Sequence, residues 1–386
     1  MPSASNPERW DSRECFWRRS GPHKYTEGLK NKMMKKVLAA VLVTMMAATL
    51  LCACSPQKNA RLARLKIGVT IYDESDTFLS EMVACFKEDA EMLADENTSV
   101  SVTVRGAEDS QRMQNDGVES FIDEGCNVLC VNLVDRTAPS AIIDMAKEHN
   151  IPVIFFNREL VAEDLMQWDR LYYVGARAKQ SGKMQGELAA DAIKKDSRID
   201  RNNDGKIQYV LLSGEPGHQD AIIRTETVVS TLEEQGIRLE RLSFQVANWN
   251  RAQAQNRMNQ MIQQYRSDIE LVLSNNDDMA LGAIDAYDKS NVTETDRPCV
   301  FGIDGTAVGL EAVKEGKLAG TVYNDKEGQA LSMARLALAA FSGKGMAQLD
   351  LEDGKYIYLP YYKVTAENVS QFPMTDGNAD ISLQTG

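Results

Sequence analysis

No apolar run in this 386-residue chain reaches the roughly 20 residues that a membrane-spanning helix needs. The one long run, residues 37–51, stops short of that length, and polar sequence begins at Ser55. Basic residues are not in excess either. Asp and Glu outnumber Lys and Arg by 56 to 43, for a formal net charge of −13. A surface of that sign repels phosphate backbones, which excludes nucleic acid as a partner. Three chemical signatures are also missing: a Ser/His/Asp order, a phosphate-binding glycine loop and any zinc-ligand spacing of cysteines. The chain is therefore expected not to be an enzyme.

What is present begins with a processing signal. Lys35 and Lys36 precede the apolar run, and Leu51-Cys52-Ala53-Cys54 follows it. A basic start, a short apolar stretch and small residues describe a signal peptide. The last part resembles the bacterial lipobox, whose final Cys becomes the new N-terminus and carries the lipid. That points to Cys54, because bulky Leu51 stands where Cys52 would need a small neighbour. Residues 33–53 are thus expected to be a lipoprotein signal peptide and 54–64 a polar tether. Residues 1–32, mixed and without periodicity, read as a non-native or disordered extension before a start at Met33 or Met34. The mature chain is expected outside the cytoplasm, held to the membrane by its lipid alone. Of seven cysteines, Cys85, Cys126, Cys130 and Cys299 would then remain, each among apolar neighbours. Buried thiols are the expectation, and a disulfide is the alternative open to an exported protein.

From residue 65 the pattern becomes regular. Short β-branched runs at 65–71, 100–105, 128–131, 153–156, 172–174, 207–212, 239–246, 271–274, 299–303 and 318–322 alternate with amphipathic stretches. In one of these, Met82, Phe86, Ala90 and Leu93 recur at helical spacing; in another, Ala221, Thr225, Val228 and Leu232 do so. Strand–helix alternation predicts an α/β fold with parallel sheets covered on both faces. So many strands divide better into two sheets than one. The expected architecture is two doubly wound lobes joined by a hinge, 65–175 with 325–358 and 176–324 with 359–386. Crossings are placed near Gly175, Asn324 and Pro360, and a last helix at 329–341 returns to the first lobe. In such sheets ligands bind outside the carboxyl ends of the strands.

The residues at those ends form a consistent set. Asp76 and Phe78 follow the first run, Asn157 the fourth, and His218, Asp220 and Arg224 the sixth. Asn276 follows the eighth, Asp304 ends the ninth, and Asn324 follows the tenth. Carboxylates accept hydrogen bonds, a guanidinium donates in a fixed fork and amides do both, which suits a polyhydroxylated ligand. A missing hydroxyl would leave a buried group unpaired at a cost of about 1–3 kcal/mol. Phe78 and Trp249, the latter in the polar loop Ala247-Asn248-Trp249-Asn250, could cover the two C–H faces of a pyranose. Singly, each Asp or Asn reads equally well as a turn former or helix N-cap. A carboxylate pair for glycoside hydrolysis could be assembled from Asp76, Asp220 and Asp304, but a ringed monosaccharide offers no leaving group.

Ile67-Gly68-Val69-Thr70-Ile71-Tyr72, Phe155-Phe156-Asn157, Gly214-Glu215-Pro216-Gly217-His218, Asn275-Asn276-Asp277 and Leu318-Ala319-Gly320-Thr321-Val322 carry a closer likeness. Together they resemble the bacterial galactose/glucose-binding proteins, within the type I periplasmic binding-protein fold, over roughly Lys66 to Phe372. The resemblance implies that Asp76, Asn157, His218, Asp220, Arg224, Asn276, Asp304 and Asn324 hydrogen-bond D-galactose or D-glucose while Phe78 and Trp249 stack on it. It implies delivery to an ABC transporter permease; the alternative is a sensor presenting sugar to a chemoreceptor or sensor kinase. A monomer that closes about its hinge on the ligand is expected. Glu74-Ser75 and Gln219 depart from the family's usual residues. A sugar-responsive repressor of the same fold would need an N-terminal helix-turn-helix where this chain has its signal.

Asp200-Arg201-Asn202-Asn203-Asp204-Gly205-Lys206-Ile207-Gln208 follows an EF-hand loop through its ninth position. Asp200, Asn202, Asp204 and Gln208 offer side-chain oxygens, and Lys206 offers only its carbonyl. Leu211 stands where the bidentate Glu belongs, so a carboxylate must come from elsewhere, and in the resembling family that position is Glu270 here. A structural Ca²⁺ is the expectation, a polar Asn-Asp-Gly turn the bland alternative.

Overall fold

The computed structural model describes residues 33–41 and 63–374. The chain divides into two compact units, Met1–Ala60 and Arg61–Gly386. Of the first, residues 33–41 are an exposed helix. The 1–32 extension, the cleavage region, Cys54 and the tether up to residue 62 lie outside the described residues. Among those described, no helix is long and apolar enough to cross a membrane. The rest concerns the second unit.

Two sheets organise it. The first has the order β11-β5-β4-β3-β1-β2, built from β1 (Ala63–Ile71), β2 (Thr98–Gly106), β3 (Val128–Val131), β4 (Val153–Phe156), β5 (Leu171–Ala176) and β11 (Tyr356–Leu359), with every pair parallel. The second has the order β7-β6-β8-β9, from β6 (Ile207–Ser213), β7 (Leu239–Val246), β8 (Leu271–Ser274) and β9 (Cys299–Phe301), again parallel. Bridges Phe301 to Gly320 and Asp304 to Tyr323 extend it to β10 (Thr321–Asn324), which pairs with β12 (Tyr361–Val364).

Central strands such as Val128-Leu129-Cys130-Val131 and Leu271-Val272-Leu273-Ser274 are buried at every position. Helices cover both of their faces, so an unbroken apolar run is what the position selects. In the first lobe, helices Thr77–Met92 and Lys326–Ser342 pack Met82, Phe86, Met333 and Leu336 on one face, while Phe121, Ile142 and Ile143 fill the other. In the second, Leu188, Val228 and Leu232 lie on one face and Met258, Ile262 and Leu310 on the other. Cys85, Cys126, Cys130 and Cys299 are free thiols. Cys126 and Cys130 are buried, and the other two only partly so.

Two strands are additional to the sequence expectation, and the strand expected at 318–322 forms later, at Thr321–Asn324. Strands β11 and β12 stand where no strand was assigned, because each is short, tyrosine-rich and divided from the other only by Pro360. β12 also runs antiparallel to β10 in an otherwise parallel arrangement. The reason is directional: the chain leaves β11 at the sheet's carboxyl end and enters the second lobe at the matching end, so it must run backwards. Polypeptide passes between the sheets after Ala176, after Asn324 and at Pro360.

Candidate functional site

The carboxyl ends of both sheets face one another across a cavity of about 340 Å³, lined by Tyr72, Asp76, Phe78, Asn157, Arg158, His218, Asp220, Arg224, Trp249, Asn276 and Asp304.

Local chemistry explains how several of these side chains are aimed. Asp76 caps helix Thr77–Met92, its Oδ1 accepting from Leu79 N at 2.9 Å while Oδ2 accepts from Tyr72 Oη at 2.7 Å. Asn276 caps helix Asp277–Asp288 through Met279 N at 3.0 Å and donates to Trp249 O at 3.2 Å. His218 caps helix Gln219–Glu234 with Nδ1 accepting from Asp220 N at 3.1 Å. The capping role and the cavity-lining role therefore coincide, since a cap sits where strand turns to helix, at the carboxyl edge.

His218 gains a defined protonation state from this. Burial, then the charges of Arg158, Arg224 and Arg136, push its pKa well below the usual histidine value. With Nδ1 accepting, the proton of the neutral ring sits on Nε2, which makes His218 a donor. Burial raises the carboxyls of Asp76, Asp220 and Asp304, against the neighbouring arginine charges. Burial also opposes the Arg224 cation, but Tyr361, Asp304 and Asp220 outweigh it and keep the guanidinium charged. Arg224 Nη1 donates to Asn275 O at 2.9 Å and Asp304 Oδ1 at 3.4 Å; Nη2 donates to Asp220 Oδ2 at 3.3 Å and Tyr361 Oη at 3.2 Å. Its Nε is buried without a protein partner.

Three cavity residues also carry unusual backbone angles. Asn157 (φ 59°), Trp249 (φ 62°) and Asp304 (φ 117°) hold positive φ, a cost that non-glycine residues bear mainly at functional positions. Trp249 packs edge-on to His218 at 5.1 Å. Its indole leaves no room at Gly214, where an added Cβ would lie 2.1 Å from a ring carbon. Glycine in Gly214-Glu215-Pro216-Gly217 is thus required by close approach.

Nine of the ten residues expected to hold ligand line this cavity. Asn324 does not. It is buried beside the passage between sheets, its Oδ1 accepting from Gln329 Nε2 at 2.7 Å and its N donating to Asp304 O at 3.0 Å, so its amide is engaged by the following helix. Tyr72 and Arg158 were missed. Both follow strands, β1 and β4, and the same end-of-strand rule could have found them had long side chains been counted with short ones. The departures have plain partners: Glu74 Oε1 accepts from Gly106 N at 2.9 Å, and Gln219 Oε1 accepts from Arg136 across the cleft.

The Asp200 loop lies apart from the cavity. Asn202 Oδ1 accepts from Asp204 N at 2.8 Å, Asp200 Oδ2 from Gly205 N at 2.9 Å and Asp204 Oδ2 from Gln208 Nε2 at 2.9 Å. Glu270 is 1% exposed and accepts from Arg201 N at 2.6 Å and Gln208 N at 3.1 Å. Asp200 Oδ1 is buried with no partner. The orphaned carboxylate oxygen is what a hard cation would satisfy, but among the described residues no three His, Cys, Asp or Glu side chains are grouped as a metal site.

Three comparisons follow from this geometry. The family profile described as a periplasmic binding protein domain matches residues 67–345. The D-galactose/methyl-galactoside binding periplasmic protein MglB of Haemophilus influenzae is 36% identical over 311 residues, covering 80% of this chain and 91% of its own. A putative rhizopine-binding protein of Rhizobium meliloti is 28% identical over 274 residues, 71% of this chain and 82% of its own. Among solved structures, an ABC transporter solute binding protein from Bacillus halodurans with bound myo-inositol superposes with a TM-score of 0.67 at 31% identity, over 80% of this chain and 97% of that one.

Proposed function

This chain belongs to the periplasmic binding protein family, and from that premise we propose that it captures D-galactose or D-glucose by closing its lobes and delivers it to an ABC transporter. Sugar binding for an ABC transporter is the family's common ground. Its relatives are binding proteins, and two of them take a galactoside and a cyclitol by their names.

The observation that carries the hexose reading is the cavity. Carboxylates of Asp76, Asp220 and Asp304, the Arg224 fork, the Nε2–H of His218 and the Asn157 amide converge with Phe78 and Trp249 on about 340 Å³. A pyranose has hydroxyls at its rim and C–H groups on its faces, and this lining matches both. Phe78 and Asp76 come from the first lobe and Trp249 and Asp220 from the second, so a ligand touching both stabilises the closed form by its differential affinity for it. Titration calorimetry with galactose, glucose, ribose and myo-inositol tests this. Tightest binding of a hexose is expected, and tighter binding of ribose or inositol would sink it.

Two further parts belong to the same reading. Asp200, Asn202, Asp204, Gln208 and Glu270, with the Lys206 carbonyl, would hold Ca²⁺, which would tie the loop before β6 to the strand β8. Cys54 would carry a lipid holding the protein at the outer face of the cell membrane. Mass spectrometry of the membrane fraction checks the latter, and an unmodified N-terminal peptide there would refute it.

A further inference from the structure

Beside the sugar cavity lies a second cavity, lined by Tyr72, Asp73, Asp109, Val134, Arg158, Glu215, Asn248, Asn250 and Gln253. Tyr72 and Arg158 line both, so they stand between the two cavities. Arg158 is 4% exposed and lies flat on Tyr72, its guanidinium carbon 3.5 Å from the ring centroid. One arm, Nη1, is anchored to Val134 O of its own lobe at 2.9 Å; the other, Nη2, crosses to Glu215 Oε1 of the second lobe at 2.9 Å. Its Nε is buried with no protein acceptor.

We propose that Arg158, Tyr72 and Glu215 form a gate that shuts only when the lobes close, restricts the occupant to a single sugar ring and slows its escape. The proposal rests on the sugar-binding reading above and deepens it to a rule of substrate size. Arg158 and Glu215 sit on opposite lobes, so their charge-assisted bond can form only in the closed state. A substituent larger than a hydroxyl at that end of the ring must pass where the guanidinium lies. If the gate is open, such a group has the neighbouring cavity to occupy. The free Nε supplies one more donor to whatever ring oxygen or hydroxyl faces it.

The test compares wild type, Arg158→Ala, Glu215→Gln and the charge-swapped pair Arg158→Glu with Glu215→Arg. Calorimetry with galactose, methyl β-D-galactoside and lactose gives affinities, and stopped-flow Trp fluorescence gives release rates. Wild type is expected to favour galactose over lactose by about 100-fold or more. Arg158→Ala should reduce that ratio at least tenfold and speed galactose release at least tenfold with little change in the association rate. Glu215→Gln should speed release less while keeping the ratio, and the swapped pair should recover part of the slow release. A misfolded Arg158→Ala leaves Glu215→Gln, which alters one exposed-edge partner, as the deciding variant: unchanged release there overturns the gate. Variants that bind galactose yet keep the wild-type ratio and release rate overturn it too. A wild type that binds no monosaccharide overturns the hexose reading itself, and the gate with it.

Discussion

The two halves of the cleft are held in different ways. In the second lobe, Arg224 is tied to Asp220, Asp304, Tyr361 and Asn275, so the network closes on itself inside one lobe. In the first lobe, the cavity residues are backed by contacts that reach across. Arg158 meets Glu215, Arg136 meets Gln219, Thr77 Oγ1 donates to Asp278 Oδ2 at 2.6 Å, and Glu81 Oε1 accepts from Ala307 N at 3.0 Å. One half is complete within a single lobe, and the other is completed only by the opposing lobe. Under the proposed closure, the first would act as a template for recognition and the second as a cover whose position depends on occupancy.

The largest break in that comparison is at Arg224. Arg224→Met leaves Asp220 and Asp304 buried without their cation, and removal of one partner from a buried ion pair costs about 3–5 kcal/mol. Urea unfolding should show a loss of that order, with no detectable hexose binding; a variant that unfolds and binds as wild type would show the network is not the template. Next come the two rings. Trp249→Ala and Phe78→Ala should each weaken hexose affinity by about 2–4 kcal/mol, the range for central anchors. Calorimetry of both decides whether the lobes share the stacking, and full affinity in Phe78→Ala would confine it to the second lobe.

Chelation probes the second lobe alone. A calcium at 100 times its Kd stabilises a fold by about 2.7 kcal/mol, so added EDTA should lower Tm by several degrees, and Glu270→Gln should abolish the response. An unchanged Tm would leave the Asp200 loop a polar turn. The smallest effect concerns closure itself. Burial, reinforced by Asp76, lifts the Asp278 carboxyl to about 6, against its bond to Thr77 and the charge of Arg251. Opening returns the group towards an ordinary value near 3.8. Closure then takes up a proton between these values, and affinity from this group falls as pH rises from about 4 to 6. Asp278→Asn should flatten that share of the pH profile, a several-fold change by calorimetry, and an unaltered slope would remove Asp278 from the closing surface.

How far the sequence led depended on the range of the interaction. Strand–helix alternation exposed the two parallel lobes because period and apolar content are local. β3, β4 and β8 begin and end where their apolar runs do, Val128–Val131, Val153–Phe156 and Leu271–Ser274. β11 and β12 were silent, since each is stabilised by a neighbour far away in the chain, Tyr356 beside Tyr173 and Val364 beside Thr321. End-of-strand polar residues were legible as a set, and Asp76, His218 and Asn276 then proved to be caps as well as cavity walls. Asn324 obeyed the same rule but is absent from the cavity lining, and its Oδ1 accepts from Gln329 Nε2.

By itself, then, the amino-acid order determined the elements other than β11 and β12, the end of each sheet at which chemistry gathers, and the oxygen-rich loop from Asp200 to Gln208. Only the tertiary structure decided which of those ends meet: that Arg158 reaches Glu215 over 57 residues and Thr77 reaches Asp278 over 201. Periodicity and capping are set by neighbours a few residues apart, and they are written in the chain. The meeting of two lobes is set by shape, burial and charge balance across a gap, and no stretch of sequence contains both sides of it.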